Sequence, residues 1–160
     1  MSVTIVFGSD QGCTRGIANR IAKRLNGRSL DVKKAKATDL ESCQLLILAS
    51  PTYGCGDLQS DWEDHINVLD GADLTGKTVA LFGTGDQMTY PECFGDAVGI
   101  LYDRVCAKGA TVVGFTEPEG YDFSGSQALR DGRFVGLLLD EDNQSHLTDE
   151  RISAWIGQLS

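Results

Sequence analysis

Three short stretches of this chain carry residue types that could do chemistry. The first, Gly8-Ser9-Asp10-Gln11-Gly12-Cys13-Thr14, mixes hydroxyls and glycines between an apolar β-branched run and a helical pattern. Strand, loop and helix N-terminus in that order make an anion cradle, because backbone N–H groups converge there and the helix adds partial positive charge. The Walker pattern needs a lysine, and here Cys13 follows Gly12 at the wrong glycine spacing. G-x-G-x-x-G is absent as well, so a dinucleotide loop is not expected. What remains is a phosphate held by hydroxyls and amides, with a plain polar turn as the alternative. The second stretch is Ser50-Pro51-Thr52-Tyr53-Gly54-Cys55-Gly56-Asp57-Leu58-Gln59, and the third is Gly83-Thr84-Gly85-Asp86-Gln87-Met88-Thr89-Tyr90-Pro91. Each sets a tyrosine among turn-forming residues. Two such rings beside a phosphate loop can sandwich a flat ligand, which suggests a mononucleotide-type cofactor.

The elements that must position these loops alternate between strand and helix. Val3-Thr4-Ile5-Val6-Phe7 is an apolar β-branched strand, and Ile17, Ala18, Ile21, Ala22 and Leu25 form one face of the helix that follows. A weaker strand lies near residues 29–33, and Thr38 to Glu41 reads as a capping box opening a short helix. Leu45-Leu46-Ile47-Leu48-Ala49 and Thr78-Val79-Ala80-Leu81-Phe82 are continuous apolar runs, as expected of central parallel strands buried on both faces. Helices are predicted over 61–69, capped by Ser60 with Glu63 completing a box, and over 94–108. Thr111-Val112-Val113 is the next strand. Residues 115–133 are polar and glycine-rich and interrupt the alternation, after which residues 134–139 resume as a strand. Thr148 is expected to cap a last helix that buries Ile152, Trp155, Ile156 and Leu159. This order implies an α/β fold with helices on both faces of an open parallel sheet, whose ligands bind at the carboxyl ends of the strands. That rule selects the same three loops.

Bulk properties narrow the function classes. The 160 residues are most simply a single domain. Lys and Arg number 14 against 23 Asp and Glu, a net charge of −9, which argues against nucleic acid as a partner. No apolar run reaches membrane-spanning length, and the N-terminus has no signal-peptide pattern, so a cytoplasmic protein is expected. The 5 cysteines lack a C-x-x-C pair and accompany only 2 histidines. Reduced thiols are therefore expected, with neither a disulfide framework nor a zinc site.

The combination of Gly-Ser-x-x-Gly-x-Thr at 8–14, Pro-Thr-Tyr-Gly-x-Gly-Asp-Leu-Gln-x-Asp-Trp at 51–62 and Phe-Gly-Thr-Gly-Asp-Gln at 82–87 resembles the three flavin loops of the flavodoxin family. Glu119-Gly120-Tyr121-Asp122-Phe123 and Asp140-Glu141-Asp142-Asn143-Gln144 are similar to the long-chain subgroup, whose insertion in the last strand accounts for residues 115–133. The resemblance covers essentially the whole chain. It implies a three-layer α/β/α sandwich on a five-stranded parallel sheet of order 2-1-3-4-5. It also implies non-covalently bound flavin mononucleotide (FMN) and one-electron transfer in place of an enzymatic turnover. By the same resemblance, Ser9, Asp10, Gln11, Gly12, Cys13 and Thr14 hold the FMN phosphate. Pro51, Thr52, Tyr53, Gly54, Cys55 and Gly56 form one wall of the ring site, and Gly83, Thr84, Gly85, Asp86 and Tyr90 form the other. Tyr53 and Tyr90 stack on the two ring faces, and Asp142 reaches the ribityl chain. Gln11 and Tyr53 depart from the commoner threonine and tryptophan.

Such a slot, walled by aromatics and acids and lacking a cation, disfavours an anionic reduced flavin and so favours a strongly reducing couple. The half-reduced ring gains a proton, and a flip of the Gly54-Cys55 peptide carbonyl towards it is expected, since glycine accepts both backbone conformations. A monomer meeting basic-surfaced redox partners transiently, an NADP-dependent reductase and acceptor enzymes, fits the acidic surface. Rivals of similar architecture fare worse. A low-molecular-weight phosphatase needs an arginine six places after its cysteine, where Asn19 stands, and a receiver domain needs paired acids where Asp10 stands alone. A quinone reductase of the same fold and a cofactor-free binding module are the remaining alternatives.

Overall fold

A computed structural model describes residues 2–9, 12–52, 55 and 57–159. Its elements are β1 (Val3–Phe7), α1 (Cys13–Arg24), β2 (Arg28–Asp31), α2 (Ala37–Glu41), β3 (Leu45–Pro51), α3 (Ser60–Asp64), α4 (Ile66–Asp70) and β4 (Thr78–Thr84). They continue with α5 (Asp96–Ala107), β5 (Thr111–Val113), β6 (Leu129–Arg130), β7 (Arg133–Phe134), β8 (Leu137–Leu139) and α6 (Thr148–Leu159).

The main sheet is parallel in the order β2-β1-β3-β4-β5, as the strand pattern and the resemblance imply. Continuous apolar strands are needed because both faces are covered. On β1, Val3, Ile5 and Phe7 point to one layer and Val6 to the other; on β3, Ile47 and Ala49 oppose Leu46 and Leu48. One layer packs on α1 and α6 through Ile17, Ile21, Trp155 and Ile156. The other packs on α3, α4 and α5 through Trp62, Leu69, Val98 and Leu101. The sandwich therefore has three layers.

The fifth strand position is filled twice. Residues Thr78, Val79 and Ala80 of β4 pair with β5, while Phe82, Gly83 and Thr84 pair with β8. Residues 114–136 leave the sheet between these two segments and include the antiparallel β6–β7 ribbon. The strand expected over 134–139 is thus two pieces, β7 and β8, broken at Val135-Gly136. A Cβ at Gly136 would collide with the backbone of Leu81, so the chain crosses the sheet edge closely there. Tyr121 and Phe123 of the excursion stack about Phe94 and Phe134, with ring centroids 5.2 to 5.8 Å apart.

Three helix starts differ from the sequence expectation. Gln59, not Ser60, caps α3, its side-chain oxygen accepting from the Asp61 and Trp62 amides. The helix expected over 61–69 breaks into α3 and α4 at His65. Asp39 reaches back to the Lys36 amide at 2.8 Å, so α2 begins after Lys36 and not at a Thr38–Glu41 box. Thr148 is the first residue of α6 and follows a 3-10 turn, Ser145–Leu147, and its buried hydroxyl has no hydrogen-bond partner among the described residues. Capping depends on which oxygen the local turn aims at the amides, and serine or threonine identity alone does not decide that.

Candidate functional site

The three loops meet at the carboxyl ends of β1, β3 and β4. Gly12 ends the first loop as the N-cap of α1 at φ 86°, a left-handed conformation that glycine adopts without strain. It has no side chain to cap the helix, so the first-turn amides of α1 are left to an acceptor from outside the helix. Ser9 shapes the turn by accepting the Gly12 amide at 3.1 Å. Thr14 is buried, and its hydroxyl lies 3.1 Å from that of Thr84, which ties the first loop to the third. Trp62, fully buried below the loops, donates its indole N–H to the Ala49 carbonyl at 2.7 Å and fixes the end of β3.

The second loop leaves β3 at Pro51. The Thr52 amide donates to the Thr84 carbonyl at 2.9 Å, and the Thr52 hydroxyl accepts from the Ala97 amide at 3.0 Å. Cys55 is joined to Cys93 by a disulfide whose Cα atoms are 5.0 Å apart. This corrects the expectation of reduced thiols throughout: only Cys13, Cys43 and Cys106 are free. The partners are 38 residues apart in sequence, and only the packing of loop two on the start of α5 brings them together.

The third loop is organised by carboxylates. Asp86 accepts from the Met88 and Thr89 amides, the Thr89 hydroxyl and the Asn143 side chain, at 2.7 to 3.1 Å. Burial alone would raise its pKa, but these hydrogen bonds outweigh it and hold the carboxyl below its ordinary 3.8. Its contribution to folding is therefore complete above pH 3.8 and is lost as pH falls through the lower folded value. The side chain of Asp86 is thus spent on its own loop. Beneath it, fully buried Asp140 accepts from the amide and side chain of Gln87 and from the amide and side chain of Asn143. Gln87 in turn accepts from the Asp122 amide, so the excursion helps to build this loop.

A cleft between the loops is lined by Cys13, Thr52, Thr84, Gly85, Asp86, Tyr90, Glu141 and Asp142. Three of these are acids and none is a lysine or arginine. Burial first, then the charges of Asp86 and Asp140, pushes the Asp142 carboxyl upward. Burial and the charges of Glu141 and Asp142 push the Cys13 thiol up, so it stays protonated at neutral pH.

Of the residues singled out in the sequence, Cys13, Thr52, Thr84, Gly85, Asp86, Tyr90 and Asp142 line this one cleft. Ser9, Gly12 and Thr14 do not line it but belong to the adjoining first loop, where Thr14 meets the lining residue Thr84, and Pro51 and Gly83 lie at the ends of β3 and β4. Cys55 instead faces a separate groove with Glu92, Cys93 and Asp96. Asp10, Gln11, Tyr53, Gly54 and Gly56 lie outside the described residues, and so does the peptide flip expected at Gly54. Sequence reasoning missed Gln59, Gln87 and Asp140. The strand-ending position of Asp140 was the available signal, since an acid closing an apolar strand commonly organises the next loop.

The family model described as Flavodoxin matches residues 5–155. Flavodoxins of Nostoc sp. and Helicobacter pylori are each 46% identical, over 98% of this chain and 94% and 95% of theirs. The crystal structure of Fusobacterium nucleatum flavodoxin bound to flavin mononucleotide superposes with a TM-score of 0.92 at 35% identity, covering 99% of this chain and 96% of that one. Loops, topology and relatives agree: the chain belongs to the flavodoxin family.

Proposed function

We propose that this protein is a low-potential one-electron carrier of the long-chain flavodoxin subgroup, built as one FMN-binding domain over residues 1–160. The observation that carries the reading is the convergence of a helix N-terminus capped by glycine, the Thr14 and Thr84 hydroxyls and the Tyr90 ring at one cleft with no lysine or arginine among its described lining residues. These groups fit FMN. The first-turn amides of α1 and the Thr14 hydroxyl are donors suited to a phosphate, with Ser9, Asp10, Gln11, Gly12 and Cys13 as the loop that wraps it. Tyr90 offers a ring for stacking, with Tyr53 as its counterpart on the second loop. Pro51, Thr52, Gly54, Gly56, Gly83, Thr84 and Asp86 supply the walls, Cys55 facing the neighbouring groove instead, and Asp142 meets the ribityl hydroxyls. The excursion of residues 114–136 between β5 and β8 supports the long-chain assignment.

Bound FMN supplies the capacity to accept and release single electrons. The chain's own residues set how readily it does so. Glu141, Asp142 and Asp86 place negative charge beside the cleft, and no described lining residue balances it, so added negative charge on a ligand there is opposed. Thr52 and Thr84, both nearly inaccessible, put two hydroxyl groups on the cleft's lining.

The partners this reading implies are basic-surfaced proteins, an NADP-dependent reductase as donor and redox enzymes as acceptors, met transiently. The net charge of −9 supports them. A monomeric state is supported by the surface, where Met88 is the only exposed large apolar side chain among the described residues. Among those residues no helix is long and apolar enough to cross a membrane. The three free cysteines support a reducing, cytoplasmic setting. The test is the rate of electron transfer from an NADP-dependent flavin reductase as salt is raised. A fall of about tenfold between roughly 0.05 and 0.5 M salt is expected. A rate independent of salt would remove the electrostatic basis for these partners.

A further inference from the structure

The Cys55–Cys93 disulfide spans two of the three loops of the cleft. Thr52, three residues before Cys55, is bonded through its hydroxyl to the Ala97 amide. Tyr53 and Gly54 are therefore bracketed in sequence by two ties, one at Thr52 and one at Cys55, both made to residues 93–97. On the other side, the Cys93 amide donates to the Tyr90 carbonyl at 3.3 Å, and the Tyr90 amide to that of Asp86 at 2.9 Å. A single covalent bond thus links the loop that carries Tyr53 to the turn that carries Tyr90. The two sulfurs differ in access: Cys55 is exposed, whereas Cys93 is 3% exposed.

We infer that Cys55–Cys93 is a second redox site, a thiol–disulfide couple that clasps the two aromatic loops and is opened by a dithiol reductant. The proposal rests on the FMN site described above. A thiolate of the dithiol attacks the exposed Cys55 sulfur, forming a mixed disulfide and breaking the bond to Cys93, which leaves as a thiolate and takes a proton. The second thiol of the reductant then attacks its own sulfur in the mixed disulfide. Cys55 is released and also takes a proton. Two electrons and two protons pass to the protein, and the reductant departs as its disulfide. The groove beside the pair is lined by Glu92, Asp96, Ser126 and Gln127, so the reductant that fits is neutral or basic at its contact face and not an anionic thiol. In a reducing compartment a disulfide at an exposed cysteine is of the labile, exchangeable kind. Opening it frees loop two from residues 93–97 at one of its two ties there, and a less preorganised site binds its ligand more weakly.

The experiment uses the FMN-loaded protein purified without reductant, with dithiothreitol as the probe. After unfolding and alkylation with iodoacetamide, mass spectrometry should find three modified cysteines before dithiothreitol, namely Cys13, Cys43 and Cys106, and five after it. FMN dissociation, followed as fluorescence recovered on dilution, should give a dissociation constant about tenfold higher after reduction. Cys55→Ser and Cys93→Ser should each bind FMN as weakly as the reduced protein and no longer respond to dithiothreitol. Five alkylated cysteines before any reductant would overturn the disulfide itself. Equal FMN affinity in the two states would overturn the clasp while leaving the FMN site standing. A disulfide-bonded protein that binds no FMN at all would overturn both.

Discussion

Truncating Tyr90 to alanine is expected to raise the FMN dissociation constant about 30-fold while leaving the fold intact. Tyr90 is half-buried on the cleft wall beside Gly85 and Asp86, and its local structure rests on its backbone, the amide donating to the Asp86 carbonyl at 2.9 Å. Alanine keeps that bond. What it removes is one aromatic face, whose burial and stacking against a flat ring are together worth about 2 kcal/mol. That energy corresponds to the stated change in affinity. Tyr90→Phe keeps the ring and should stay within about threefold of the parent, since the contribution resides in the ring face. Titration of the apoprotein with FMN, read by fluorescence quenching, measures both. An alanine variant that binds as tightly as the parent would remove Tyr90 from the site.

The second large effect is expected far from any ligand contact. Asp140→Ala should destabilise the protein by about 3 kcal/mol, read as a lower midpoint of urea unfolding, because four donors lose their buried acceptor together. Those donors are the amides and side-chain amides of Gln87 and Asn143, at 2.8 to 3.1 Å from a carboxylate that is 0% exposed. Asn143 also supports Asp86, and Gln87 holds the Asp122 amide, so the third loop and the excursion loosen as one. For a chain of this size the melting temperature should fall by about 6–12 °C. Asp140→Asn retains acceptor capacity on one oxygen and should cost about half as much. A loss under about 1 kcal/mol for the alanine variant would show that the network does not act cooperatively.

The parts of this architecture that were legible in the sequence are those governed by one-dimensional signals. β1 coincides with its apolar run, because a strand buried on both faces must be continuously apolar and is bounded where that stops. The face of α1 is equally plain: Ile17, Ala18, Ile21 and Ala22 are all buried. Caps were legible only approximately. Gln59, Lys36 and the bare Thr148 depend on the path of the turn before each helix, which side-chain identity does not encode. The break between β7 and β8 follows from the edge of β4, whose last three residues accept a returning strand that its first three give to β5. The site divides in the same way. Loop positions followed from topology, since ligands gather at the carboxyl ends of parallel strands. The Cys55–Cys93 pairing and the Asp140 network were not legible, because each joins residues from separate loops and neither partner has a local pattern that announces the other.

The excursion of residues 114–136 also acquires a physical role. Tyr121 and Phe123 pack on Phe94, immediately after Cys93, and the Tyr121 hydroxyl donates to the Leu138 carbonyl. Burial pushes that phenol up to about 12, so it remains a donor across the physiological range. The excursion therefore braces the turn that presents Tyr90 from behind.

Whether this chain carries FMN as a one-electron cofactor of low potential is decided by stepwise reductive titration of the purified protein. One equivalent of bound flavin is expected, with visible bands that disappear in two resolved one-electron steps, the second at a markedly more negative potential than for free FMN. A colourless protein that FMN does not reconstitute would contradict it, as would bound flavin that takes both electrons in one unresolved step near the potential of the free cofactor.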